Sequence, residues 1–525
     1  MSDEQLLFVR ESSGLVKEVG TAFALILPIA LTCGAYFHFI MPQLSTWFPG
    51  ALLVPTFGIG AFVILFEGVG LTCLMLAMPR SGAAYHFTGR GLNPIFGSME
   101  GWRSVISNPI FRGSGIFFAT KITAGGIVVI GNAVNNAGLI AAGTALQNNI
   151  YWLVAVAMII VIIGFIPAYI RVKHWGQFTI IFGLVSLIAL LIADVVLIAT
   201  PMTSTIWDGV FGAGQYALTQ SDAATITTVL GTTLSDYTTM TIAGISAALS
   251  TAVGIMWPYL VMTVAGEVSQ PSKNIPISNI GGALGIGGFF LLTAFALESS
   301  MGGFLNESIL AGYLGQDANA TIIYPGVGNY AAVILGANPL SWLVISMPLI
   351  TITLDGPANA TWVTRPFHAM AMDRMGPEVM AHINPKYHVP DYALYFSTII
   401  QGAIVILALW YDVSLAIGIA FTYTFVRLQF SWAEVALPYY RPTLWERSGA
   451  WKFLGIPVVS IMGLVTGAFF LWGVVSFVPS ATVPFETFFT VFIFGVGQLF
   501  YTYYGMKNSK KGIEMAAIFG QLPPE

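Results

Sequence analysis

The sequence predicts an all-α integral membrane protein with twelve transmembrane helices, and three observations predict it. Of 525 residues, 56% are hydrophobic and only 8% charged, against about a quarter charged in soluble domains. The apolar residues fall in long, continuous Leu/Ile/Ala/Gly-rich runs, whereas a transmembrane barrel needs short alternating strands. Nearly all basic residues lie on one side of the spans those runs define. A mean hydropathy of +0.79 excludes a water-soluble enzyme. With 20 Lys+Arg and a net charge of −4, nothing attracts a nucleic acid. Cys33 and Cys73 both lie in apolar runs and read as small buried side chains, so no disulfide framework, metal or other cofactor is expected.

The first twenty residues carry Asp3, Glu4, Arg10, Glu11, Lys17 and Glu18. They form a polar tail, 1–20, and the apolar stretch after it is a span rather than a cleaved signal. A bilayer core takes about 20 apolar residues per helix. Runs of that kind lie at 21–40, 51–78, 104–130, 150–170 and 177–200, which fill a first half, 21–200. A Thr/Ser/Gly/Asn-rich segment follows at 201–241; it and 299–337 are expected to fold as short helices or loops over the outer mouth. The second half, 242–436, holds runs at 242–266, 278–298, 338–363, 392–411 and 414–436. A cytoplasmic loop, 437–452, leads to two further spans at 453–477 and 485–504, within 453–504, and a tail at 505–525. Two sequons, at 306–308 and 319–321, match a motif short enough to arise by chance.

With a cytoplasmic N-terminus, the inner segments hold Arg80, Arg90, Arg103, Lys173, Lys273, Arg365, Arg374, Lys386, Arg441 and Lys507 among others. The outer loops hold no Lys or Arg but carry Asp208, Asp222, Asp236, Glu298, Glu307, Asp317 and Glu486. The positive-inside rule then puts both termini in the cytoplasm of a multi-pass protein of the cell membrane.

Two spans contain helix breakers. The first has Pro28 and then Thr32-Cys33-Gly34-Ala35; the sixth has Gly254 and then Ile255-Met256-Trp257-Pro258-Tyr259. Proline removes a backbone donor and clashes with the preceding turn, and in hydrocarbon non-helical backbone survives only where it is buried or lines a cavity. A pair of simple kinks is one reading. The other is a pair of discontinuous helices, five helices apart, in two halves of inverted topology with a substrate site between them. On that reading Pro28, Thr32, Cys33, Gly34, Ala35, Ile255, Met256, Trp257 and Tyr259 are the substrate-binding candidates, with Trp257 also a gate.

Three motifs then carry a resemblance. Pro79-Arg80-Ser81-Gly82-Ala83-Ala84-Tyr85 is similar to the PRSGGEY signature of amino acid permeases in the amino acid–polyamine–organocation superfamily, with Gly97, Gly101 and Trp102 where that family has its G…GW. Residues 265–276, AGEVSQPSKNIP, resemble AEEVKNPKRNIP, and 364–374, TRPFHAMAMDR, resemble SRVLYAMARDG. The resemblance spans nearly the whole chain and implies a twelve-helix, five-plus-five transporter. It also marks departures: the usual GSG of the first break keeps only Gly34, followed by Ala35 and Tyr36, and span five has Thr179, Ser186 and Asp194 but no lysine.

Ionisable residues inside spans are costly and mark function or pairing. Arg112 lies roughly 14 Å beyond Arg103 and Asp355 roughly 15 Å beyond Arg365 along their helices, so the two are expected to meet. A structural ion pair, or a proton or cation site built from Asp355, Thr351, Thr353 and Arg112, both fit. Glu67 has Lys121 or Arg427 as partner, or carries protons. Glu267 and Lys273 read as an inner gate or as topology markers.

The expected activity is secondary active transport of an amino acid, a related amine or an organic cation by alternating access, as proton-coupled symport, with a sodium ion as the other candidate driver. An exchanger and a non-transporting nutrient sensor are the alternatives. Nucleotide-driven transport lacks a Walker A motif, and an intramembrane enzyme lacks any His-Glu-x-x-His or Gly-x-Ser-x-Gly constellation.

Overall fold

A computed structural model describes residues 15–34, 37–170, 172–314, 325–407, 415–480, 484–520 and 522. It is helical throughout, apart from loops and a minimal hairpin pairing Lys452–Phe453 with Ile456–Pro457. The principal helices are α1 (Thr21–Gly34), α2 (Phe37–Trp47), α3 (Leu53–Ala77), α4 (Pro94–Ala133), α5 (Ile150–Tyr169), α6 (Val172–Ala199) and α7 (Ile242–Gly254). They continue as α8 (Pro271–Met301), α9 (Leu340–Met372), α10 (Asp391–Leu407), α11 (Leu415–Tyr440), α12 (Val458–Ser480) and α13 (Pro484–Ser509). Among the described residues seven of these, α3, α4, α5, α6, α8, α9 and α12, are long and apolar enough to cross a membrane. Ile159, Ile162, Ile163 and Ile166 of α5 and Ile181, Ile188 and Val195 of α6 point away from the protein, an apolar face that suits lipid and not water.

Several edges differ from the sequence reading. Within the predicted span 21–40, α1 covers Thr21–Gly34 and α2 begins at Phe37, and residues 35 and 36 between them lie outside the described residues. Helix α4 starts at Pro94, ten residues before the predicted 104. Pro at the first helical position lacks a donor that the helix would leave unpaired anyway, and the Asn93 side chain accepts from the Ile95 amide at 3.0 Å. At 40 residues it is about 60 Å long, twice the roughly 30 Å hydrocarbon core. Helix α8 likewise extends past the predicted 278–298, through a π turn at Ile277–Gly281 beside Pro276.

Small residues let the helices approach. Gly101 of α4 lies against Met370 of α9, Ser104 Oγ donates to the Trp362 carbonyl at 2.6 Å, and Gly126 lies against Ile345. These contacts run α4 and α9 antiparallel along their length. In α1 and α6, Phe23 meets Gly176 and Ala30 meets Gly183, so that pair is parallel. In α3 and α8, Gly68 meets Asn279 and Ala61 meets Gly287, an antiparallel pair.

The segment 201–241 forms helices at Ser204–Phe211, Gln215–Val229 and Leu234–Thr238, and 299–337 forms helices at Phe304–Leu314 and Val327–Leu335. Trp207 and Tyr216 pack on Phe304, the latter stacked at 4.0 Å. The sequon at 319–321 lies outside the described residues.

At the opposite end both ends of the chain come together. Val19 bridges Val268, and Phe519 packs on Tyr85. The basic residues counted there are not all solvent markers: Arg103, Arg90 and Arg365 are buried and paired with Glu100, Asp373 and Glu267.

Candidate functional site

Helix α7 ends at Gly254, and the chain passes through Ile255–Tyr259 before resuming as a 3-10 turn at Leu260–Glu267. Pro258 cannot donate and blocks continuation of the helix. The carbonyls this releases need partners in a region without water. Two side chains supply them. Trp257 Nε1 donates to the Gly254 carbonyl at 2.6 Å, and Arg427 Nη1 of α11 donates to the Val253 carbonyl at 2.6 Å. A guanidinium at a helix C-terminus also meets the negative end of its dipole. The break is therefore built into the fold.

Beside it lies a pocket of about 20 Å³ lined by Asn108, Phe111, Trp257, Tyr259, Leu260, Asp355, Asn359, Trp362 and Tyr423. That is room for about one water molecule, so the pocket is nearly closed. Its walls come from α4, the broken segment, α9 and α11. Phe111, Trp257 and Tyr423 form an aromatic triangle with centroids 5.0, 5.3 and 5.7 Å apart. Tyr423 donates its hydroxyl to Asn108, whose amide nitrogen reaches the Trp362 carbonyl at 3.2 Å. The Arg103 guanidinium lies 5.1 Å from the Tyr423 ring centre.

Arg112 and Asp355 do meet, Nε to Oδ2 at 4.0 Å. The contact is loose, and Arg112 also donates to Gln401 of α10 while its Nη2 has no hydrogen-bond partner. Asp355 is the more open of the two, with 19% of its side chain exposed, and it faces the pocket. A carboxylate among aromatic faces is chemistry suited to an amine.

Of the predicted residues, Trp257, Tyr259 and Asp355 line this pocket. Thr32, near the described end of α1, places its Oγ1 3.4 Å from the Trp257 carbonyl, so α1 touches the broken segment after α7. Pro28 sits inside continuous α1, against Gly282, and the helix runs through it to Gly34. Gly34 packs on the hydroxyls of Thr351 and Ser186, which are hydrogen-bonded at 2.7 Å. Cys33, Ile255 and Met256 are buried in the apolar core, Met256 against Gly60 of α3. Ala35 lies outside the described residues. Thr353 bonds back to the Leu349 carbonyl of its own helix at 2.7 Å.

Glu67 pairs with Arg427 through both carboxyl oxygens, Nε to Oε1 being 2.7 Å. Lys121 instead lies 4.6 Å from the Phe117 ring. Glu267 accepts both Nε and Nη2 of Arg365, at 2.9 and 3.0 Å. Around that pair, the Val19 amide donates to the Glu267 carbonyl at 2.9 Å and the Gly82 amide to the Thr263 carbonyl at 3.0 Å. These bonds strap the start of α1, the 3-10 turn and α9 together at the end of the molecule that carries the termini.

Sequence reasoning missed Asn108, Phe111, Asn359, Trp362 and Tyr423. Two had a signal: Asn108 lies one turn before Arg112 and Asn359 one turn after Asp355, the spacing that shares a helix face. The aromatics had none, since spans are full of aromatic residues.

A sequence profile of the family described as amino acid permease matches residues 32–511. Over 394 residues the chain is 23% identical to the serine/threonine exchanger SteT of Bacillus subtilis (strain 168), covering 74% of this chain and 76% of that protein.

Proposed function

Since this chain belongs to the amino acid permease family, we propose that it carries an amino acid or a related amine across the cell membrane as a proton-coupled symporter. It is a multi-pass membrane transporter and not an enzyme. In this reading the twelve predicted spans form two inverted five-helix halves, 21–200 and 242–436, followed by two helices, with both termini cytoplasmic. One bundle rocks against the other about a central site.

The observation that carries the reading is the contact of α1 with the break after α7, Thr32 on the Trp257 carbonyl, beside a pocket that combines Asp355 with aromatic rings. The substrate amine sits near Asp355 and the ring faces, with Trp257 as the gate over it. Backbone around Thr32–Gly34 and Ile255–Tyr259 completes the binding site. Asp355, with Arg112 beside it, Thr351 and Thr353 on the same helix, and Glu67 are the coupling candidates. The Glu267–Arg365 strap is the gate at the cytoplasmic end, and it has to part for substrate to leave.

Uptake of a labelled amino-acid panel by liposomes holding the purified protein tests this, with an imposed proton gradient, a sodium gradient or neither. Accumulation that needs the proton gradient is the expected result. A sodium requirement would overturn the proton assignment, and silence across the panel would overturn the substrate class. Exchange is the second reading, favoured by the similarity to an exchanger; it predicts movement only against preloaded substrate.

A further inference from the structure

Among the described residues the pocket and the strap leave two buried carboxyls without a task, Asp194, which accepts the Thr293 hydroxyl at 3.0 Å, and Glu434. Glu434 lies on α11, two turns after Arg427, and is 1% exposed. Its carboxyl is pressed against Gly70 of α3 and its Cβ against Gly463 of α12. Oε2 has no hydrogen-bond partner, and among the described residues no basic side chain pairs with it. The titratable groups facing it from α3 are Glu67 and Cys73. From α12 it meets Gly463, with no charge. The nearest cation on α11, Arg427, is held by both oxygens of Glu67 and by the Val253 carbonyl. Gly70 lies one turn after Glu67 on α3, so the Glu434 carboxyl shares that face with Glu67, and Arg427 is bonded to Glu67.

We propose that Glu434 is the binding site of the coupling proton, while Glu67 stays ionised on Arg427. This deepens the symporter reading and rests on it. A buried acid with neither a counter-charge nor water is stable in its neutral form, and one proton added to a carboxylate oxygen cancels the charge without needing space. The proton comes from water on one side of the membrane and returns to water on the other; only an O–H bond forms and breaks. In the arrangement described, Arg427 is bonded to Glu67 and Glu434 has no counter-charge, so the proton is on Glu434. Loss of that proton puts a second negative charge near the Glu67–Arg427 pair, and Arg427 also holds the last turn of α7, which borders the substrate pocket.

The test uses the full-length protein in liposomes, with a labelled amino acid that the wild type carries. Glu434→Gln keeps the shape of the neutral acid and cannot release its proton. Its accumulation under a proton gradient is expected to fall by an order of magnitude and to lose its pH dependence, while counterflow against preloaded substrate persists. Wild-type accumulation with wild-type pH dependence in Glu434→Gln would overturn the proposal and leave the symporter reading standing. If that variant does not fold, Glu434→Asp decides: a moved pH midpoint supports the proposal and an unmoved one overturns it. Wild-type counterflow with no response to a proton gradient would overturn the symporter reading, and this proposal with it.

Discussion

Asp355 and Glu67 are both carboxylates in apolar helices facing an arginine, yet their surroundings assign them different work. Asp355 keeps a loose 4.0 Å contact with Arg112 and opens to the pocket. A charge-assisted contact to a substrate amine is worth about 1.5–3 kcal/mol, so Asp355→Asn should lower uptake roughly ten- to hundredfold at unchanged folded yield. Trp257→Ala, which removes both a pocket wall and the donor to Gly254, should do the same. Wild-type uptake by either variant would remove that residue from the site; loss of folded Asp355→Asn would mark a structural pair instead. Glu67 has no such freedom. Its bidentate bond with Arg427 is dry on both sides, and removing one partner leaves a buried charge, at about 3–5 kcal/mol. Glu67→Gln should therefore unfold at markedly lower temperature in detergent. Replacing Glu67 and Arg427 together with apolar residues should recover part of that loss.

At the scale of elements, close approach is set by glycine where backbones touch. Gly97 of α4 packs on the backbone of Gly89 in the helix Ala83–Gly91, and an added Cβ would lie 2.6 Å from the Gly89 Cα. Backbone cannot step aside as a side chain does, so Gly97→Ala should cost about 1–3 kcal/mol or more, read as a fall in melting temperature. This gives a physical reason for one glycine of the G…GW pattern. The broken helix follows a related rule. Pro258 could be placed from the sequence, but its consequence, carbonyls at 253 and 254 needing donors, is met by Trp257 and by Arg427, 174 residues further along the chain. Span edges failed where local chemistry overrode hydropathy: the Asn93 cap and Pro94 start α4 well before its apolar run begins.

For the whole molecule, the Glu267–Arg365 pair and the amide bonds around it tie the start of α1, the 3-10 turn and α9 together. Glu267→Gln weakens that strap. A cysteine placed at Thr263, now buried, should then react faster with a water-soluble maleimide; an unchanged rate would mean that the amide bonds alone keep the end closed. The sequence by itself determined that the protein is helical and membrane-embedded, where its long apolar runs lie, that the span around Pro258 is broken and which family it resembles. Each of these depends on composition, periodicity or a local motif, and such signals are complete within a short stretch of chain. Only the tertiary structure decided that Glu67 meets Arg427 rather than Lys121, that Arg103 and Arg365 are buried with acids, that Thr353 turns to its own helix, and that Tyr423 and Asn108 reach the pocket. Those pairings join residues up to several hundred positions apart. In an apolar setting, where every span offers similar side chains, packing alone selects which polar group finds which partner.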